Sequence, residues 1–164
     1  MNILLIGMPT SGKSTVGVIL AKILGMDFLD TDLLIQRQTG KRLSEIIEAE
    51  GTEGFLRTEE EVCLSIMADN MVIATGGSAV YGEKAMSHLK KNAKTVYLRI
   101  SPDELKKRLR DTKARGVVLR EGESLEELYA EREKLYNRYA DVTVFEEGLT
   151  LEGTVSAVKE CLRG

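Results

Sequence analysis

Apolar positions along the chain change their period repeatedly, and the changes alternate between strand-like and helix-like stretches. Ile3-Leu4-Leu5-Ile6 is a continuous apolar run short enough for a buried strand. From Thr15 to Leu24, the residues Val16, Ile19, Leu20, Ile23 and Leu24 recur at helical spacing, and Gly25 is placed to cap that helix. Met26 to Asp30 predicts a second strand, Met71 to Thr75 a third, Thr95 to Ile100 a fourth and Asp141 to Phe145 a fifth. Ser101-Pro102-Asp103-Glu104 supplies a capping serine, a first-turn proline and two acids, so a helix begins there and fades near Asp111. Further helices are expected over Leu125 to Tyr139 and Thr150 to Leu162.

Strands separated by helices imply an α/β fold in three layers, α/β/α, with a five-stranded parallel sheet covered on both faces. Residues 31 to about 68 break that rhythm. They read as helical, interrupted at Thr39-Gly40 and between Gly51 and Gly54, with Ser44 or Thr39 as expected caps. A single crossover needs far fewer residues. The stretch 32–68 is therefore expected to be a helical substrate-binding insertion over the carboxyl ends of the strands, where open α/β sheets bind ligands. Residues 112–124 are polar and glycine-containing with no helical stripe, and read as a lid loop. The reading is one domain, 1–164, with its core in 1–31, 69–111 and 125–164.

Bulk properties narrow the function. At 164 residues, 43% hydrophobic and 30% charged, the chain suits an ordinary globular domain. A net charge of -3 and an aromatic content of 5% give no footprint for nucleic acid. No apolar run has the length of a membrane span, and the amino terminus does not resemble a signal peptide. Cys63 and Cys161 lack metal-ligand spacing and read as reduced thiols. The expectation is a cytoplasmic monomer without nucleic-acid or membrane partners.

The first strand runs into Gly7-Met8-Pro9-Thr10-Ser11-Gly12-Lys13-Ser14, and a helix follows. This is a P-loop in its required setting. Glycines let the backbone curl so that successive amide hydrogens face one anion, and the helix dipole adds to the attraction. Gly7, Pro9, Thr10, Ser11, Gly12, Lys13, Ser14 and Thr15 are the candidate nucleotide contacts. Lys13 is expected to reach the β- and γ-phosphates of ATP, and Ser14 to ligate Mg²⁺.

Asp30-Thr31-Asp32 ends the second strand beside this loop. Asp30 is a candidate Mg²⁺ holder, and Asp32 a candidate acceptor for the proton of an attacking hydroxyl, or simply a helix cap. The paired glycines of Thr75-Gly76-Gly77-Ser78 allow a small substrate to approach the backbone. Lys113, Arg115 and Arg120 place cations in the lid, and Arg108 and Arg110 lie on the helix before it. His88 reads as a surface residue and Glu59-Glu60-Glu61 as a solvated face, with Glu59 able to fix an arginine.

Taken in order, these motifs resemble the shikimate kinase family. The P-loop, Asp30-Thr31-Asp32, Gly51 to Phe55, Thr75-Gly76-Gly77, the arginine-bearing lid, Arg132 to Tyr136 and Ala140-Asp141-Val142 all match its layout. The resemblance implies a nucleoside monophosphate kinase-type sheet and transfer of the ATP γ-phosphate to a ring hydroxyl of shikimate. It implies that Lys13 contacts phosphates, Ser14 and Asp30 serve Mg²⁺, Asp32 orients or deprotonates the hydroxyl, and Arg115 is the lid arginine. Arg108 is implied to stack on adenine and Arg132 to grip the substrate carboxylate.

Three positions depart from the family pattern. The arginine usual after the insertion's phenylalanine is Leu56 here, with Arg57 one place later as the remaining candidate. The family's triple glycine is Gly76-Gly77-Ser78, and its arginine-proline-leucine is Arg115-Gly116-Val117. Alternatives to shikimate are a different small hydroxylated substrate or a non-catalytic nucleotide-binding regulatory protein.

Overall fold

The computed structural model describes residues 1–111 and 120–164. Its strands are Asn2–Ile6 (β1), Asp27–Asp30 (β2), Met71–Ala74 (β3), Ala93–Arg99 (β4) and Val142–Phe145 (β5). All pair in parallel in one sheet, in the order β2-β3-β1-β4-β5. Its helices are Lys13–Leu24 (α1), Thr31–Thr39 (α2), Leu43–Leu64 (α3), Glu83–Lys90 (α4), Pro102–Asp111 (α5), Leu125–Tyr139 (α6) and Leu151–Arg163 (α7).

Alternation within the strands explains the two layers. Leu4 and Ile6 join Ile73 and Tyr97 in one apolar cluster, covered by Met86 and Leu89 of α4, Leu105 of α5 and Leu128 and Tyr136 of α6. Ile3 and Leu5 face the other way, with Val72, Val96 and Leu98, against α1 and α7. A strand buried on both faces must be apolar at every position, which is why β1 reads as an unbroken run. The parallel register sets Asp30 beside Ala74, and Ala74 beside Leu5, so the carboxyl ends of β2, β3 and β1 form one ledge.

The insertion has an apolar core of its own, made of Ile35, Ile46, Phe55 and Val62, with Leu56 packed on its edge. Gly51, at φ 71° and ψ 179°, breaks the regular geometry of α3. That left-handed φ is open to glycine and strained for other residues. The expected caps are corrected: neither Ser44 nor Thr39 starts α3, and the Glu45 carboxylate instead accepts the Arg42 N–H at 2.6 Å. A 3-10 turn over Ala79–Tyr81 was not signalled by periodicity, because three residues are too few to show one. His88 is also corrected. It is half-buried, with Nε2 2.7 Å from the Ile66 carbonyl. No helix among the described residues is long and apolar enough to cross a membrane.

Candidate active site

The loop between β1 and α1 is held in its curl by backbone that few residues adopt. Gly12 caps α1 at φ 86°, and Thr10 sits at φ 69°. The Lys13 ammonium folds over the loop and donates to the carbonyls of Gly7 at 2.8 Å and Met8 at 2.7 Å. Burial lowers Lys13 to about 8, against the opposing pull of the nearby Asp32 and Glu146 carboxylates. A buried ammonium with a depressed pKa gains most from an incoming anion, which restores its charged form.

Ser14 Oγ donates to Asp30 Oδ2 at 2.5 Å. The other oxygen of Asp30 accepts the N–H groups of Asp32 at 2.9 Å and Leu33 at 3.3 Å. Asp30 is therefore the cap of α2, where Asp32 had been the candidate. Capping by Asp30 fixes its carboxylate against the P-loop and leaves Asp32 in the first turn of α2. Thr31 Oγ1 accepts the Gly76 N–H at 3.1 Å and locks the start of α2 to the turn after β3.

Gly76 and Gly77 are required by proximity. A Cβ on Gly76 would stand 2.7 Å from Asp32 Oδ1 and 2.8 Å from Glu59 Oε2. On Gly77 it would stand 2.7 Å from Pro9 Cδ and 3.1 Å from Arg132 Nη1. Asp32, Glu59 and Arg132 thus converge on one stretch of backbone beside the P-loop. Arg132 is only 1% exposed, although it lies in the charged stretch Glu131-Arg132-Glu133-Lys134. It lies under the Tyr81 ring, 5.4 Å from the centroid, and Arg120 lies 4.9 Å from the same ring.

Glu59 is the main residue the sequence reading misplaced. Its carboxyl is buried, where a solvated face was expected, and Ser78 Oγ donates to it at 2.7 Å. Burial pushes Glu59 up to about 8. The available signal was its position four residues after Phe55, which puts both on the buried face of α3. Glu146, just beyond β5, was missed too. It is buried, Oε2 has no hydrogen-bond partner, and burial raises it to about 7 against the charges of Arg108 and Lys13.

Arg108 donates to the Thr10 carbonyl at 2.8 Å and to Glu104 at 2.9 Å, so α5 is pinned to the P-loop. Beside it is a cavity of about 220 Å³ lined by Ser101, Glu104, Arg108, Glu146, Gly148 and Leu149. Arg57 is exposed and passes beside Gly54, apart from the groups gathered at Gly76 and Gly77. Arg110 is exposed as well. Arg120 is paired with Glu53 at 3.1 Å and Glu131 at 3.0 Å. Lys113 and Arg115 lie outside the described residues. Among the described residues, no cluster of three or more His, Cys, Asp or Glu side chains could hold a metal ion.

A family model described as Shikimate kinase matches residues 9–163. The shikimate kinase of Francisella tularensis subsp. novicida is 40% identical, over 98% of this chain and 94% of its own. That of Thiobacillus denitrificans is 41% identical, over 87% of this chain and 80% of its own. Among solved structures, shikimate kinase from Acinetobacter baumannii in complex with shikimate superposes with a TM-score of 0.87. It is 32% identical, and the match covers 99% of this chain and 92% of that one. The Aquifex aeolicus enzyme gives a TM-score of 0.86 at 33% identity, over 100% and 97% of the two chains.

Proposed function

The chain belongs to the shikimate kinase family, and on that premise we propose that it transfers the γ-phosphoryl group of ATP to a ring hydroxyl of shikimate. The observation that carries the reading is the convergence of Asp32 and Arg132 on Gly76 and Gly77, next to the P-loop lysine. An acid and a buried guanidinium side by side suit an acceptor that bears both a hydroxyl and a carboxylate.

In this reading the P-loop amides and Lys13 hold the β- and γ-phosphates, and the nucleoside occupies the cavity beside Arg108. Arg132 receives the substrate carboxylate, and Gly76 and Gly77 let the ring lie against the backbone. Asp32 takes the proton of the acceptor hydroxyl as its oxygen bonds to the γ-phosphorus. The bond from that phosphorus to the β–γ bridging oxygen breaks, and ADP leaves. Most of the rate comes from positioning and charge stabilisation. Ser14 and Asp30 fit Mg²⁺: a hydroxyl and one fixed carboxylate are hard oxygen donors, and this ion keeps most of its shell as water and phosphate. When bound, the ion neutralises charge on the phosphates. The enzyme acts as a monomer in the cytoplasm, in keeping with its free thiols.

The test is shikimate-dependent ADP release, with the phosphorylated product identified by mass. Asp32→Asn should lower turnover at least about 100-fold, the usual scale for a lost general base, with Mg·ATP affinity unchanged. No stimulation by shikimate, with stimulation by another alcohol, would overturn the substrate.

A further inference from the structure

Glu59 brings a second acid into the substrate chamber. It is 2% exposed. One carboxyl oxygen accepts from Ser78 Oγ at 2.7 Å, while Oε2 has no hydrogen-bond partner. Oε2 and Asp32 Oδ1 lie 2.8 and 2.7 Å from the point a Gly76 Cβ would occupy, so the two acids share one small volume. Two ionised carboxylates there would repel each other, and the buried Glu59 would lack the hydration it has in water. A carboxylic acid beside a carboxylate avoids both costs.

We propose that Glu59 is a positioning residue that works as a neutral acid, so that binding of the carboxylate substrate is linked to a proton on Glu59. With Glu59 neutral, one negative charge fewer stands beside Arg132 where the substrate carboxylate is held, and Asp32 is the acid beside the acceptor hydroxyl. The inference rests on the shikimate reading above.

The groups that face Glu59 are Asp32 from α2, Arg132 and Tyr136 from α6, Ser78 from the turn after β3, and Cys63 on its own helix. Burial is the largest influence and pushes Glu59 up to about 8. The Ser78 hydrogen bond and Arg132 oppose the rise, and Asp32 adds to it. Below that pH the acid is neutral and the substrate anion binds. Above it the new negative charge offsets Arg132 and repels the substrate. Shikimate's own carboxylate ionises in the ordinary range near 4 and is charged throughout. Lys13 titrates near the same pH, but its contribution is common to the wild type and to any variant at Glu59.

The experiment is calorimetric titration of the full chain with shikimate at pH 6.5 and 9.5, in buffers of different ionisation enthalpy. The wild type should bind more than about 10-fold more weakly at pH 9.5 and take up protons on binding there, since more than one pH unit above its pKa the acid is largely ionised. Glu59→Gln, an amide of the same shape, should keep its affinity within about 3-fold over the same interval and lose that uptake. Ser78→Ala removes a donor that favours the ionised acid, so it should move the break in affinity to higher pH. An identical pH slope in Glu59→Gln and wild type, or an unmoved break in Ser78→Ala, overturns the inference. Wild-type binding of equal strength at both pH values sinks this inference alone. Absence of shikimate binding at every pH sinks the shikimate reading and this inference with it.

Discussion

The Tyr136 hydroxyl donates to the Gly77 carbonyl at 2.6 Å, which ties α6 to the turn after β3. Arg132 lies one helical turn earlier on the same face, so the hydrogen bond also fixes where its guanidinium meets Gly77. The Tyr136 ring packs on Tyr97, with centroids 5.0 Å apart, and anchors the arrangement in the sheet. Tyr136→Phe keeps that packing and leaves a partly buried carbonyl without its donor. It should lower stability by about 1–3 kcal/mol, or roughly 2–4 °C in Tm per kcal/mol for a chain of this size. Shikimate KM should rise while ATP KM holds. Thermal melts and initial rates check both, and an unchanged shikimate KM would detach Tyr136 from the site.

Gly76→Ala tests proximity without altering backbone preference. The added methyl would sit where Asp32 and Glu59 now approach, and Glu59 is enclosed on all sides. The expected result is a folded protein that binds Mg·ATP normally, with kcat/KM for shikimate at least about 10-fold lower, a loss of about 1.4 kcal/mol in transition-state stabilisation. Retained kcat/KM would show that the ledge is wider than these distances imply.

Lys13→Met separates function from stability. The folded pKa of Lys13 is depressed to about 8, so at neutral pH the fold carries the cost of keeping a buried ammonium charged. Removing that charge should leave Tm equal to or above the wild type while phosphoryl transfer is lost. A clear fall in Tm would mean that the hydrogen bonds to Gly7 and Met8 outweigh desolvation.

Arg108→Ala should weaken ATP without touching shikimate. A hydrogen bond from a charged donor contributes about 1.5–3 kcal/mol, so ATP KM should rise by roughly 10- to 100-fold. Equal increases in both KM values would show that α5 supports the whole site instead of the nucleotide side.

Stability should depend on pH through Glu59 and Glu146, raised to about 8 and about 7 from an ordinary 4.5. Between 4.5 and those values the folded chain holds more protons than the unfolded one, so stability falls as pH rises through that window. Glu59→Gln and Glu146→Gln should therefore raise Tm more at pH 8 than at pH 5. An equal change at both pH values in calorimetric scans would contradict buried neutral acids.

Local chemistry settled much of this protein before any tertiary contact. The apolar run of β1 followed by a glycine-bounded loop and a helical stripe marks a phosphate site within some 25 consecutive residues. The strand count, the α6 boundaries, and the pairing of Ser14 with Asp30 follow from motifs that carry their own backbone requirements. What tertiary structure alone decided was burial. Glu59 and Arg132 sit in charge-rich helices, where only the four-residue spacing from Phe55 marks Glu59 as inward-facing, and Glu146 follows a strand like any polar residue. Only packing brings Glu59 against Ser78, 19 residues away, and Arg132 against Gly77 from a different helix. Desolvation depends on what surrounds a side chain from every direction, and neighbours in the chain supply few of those directions.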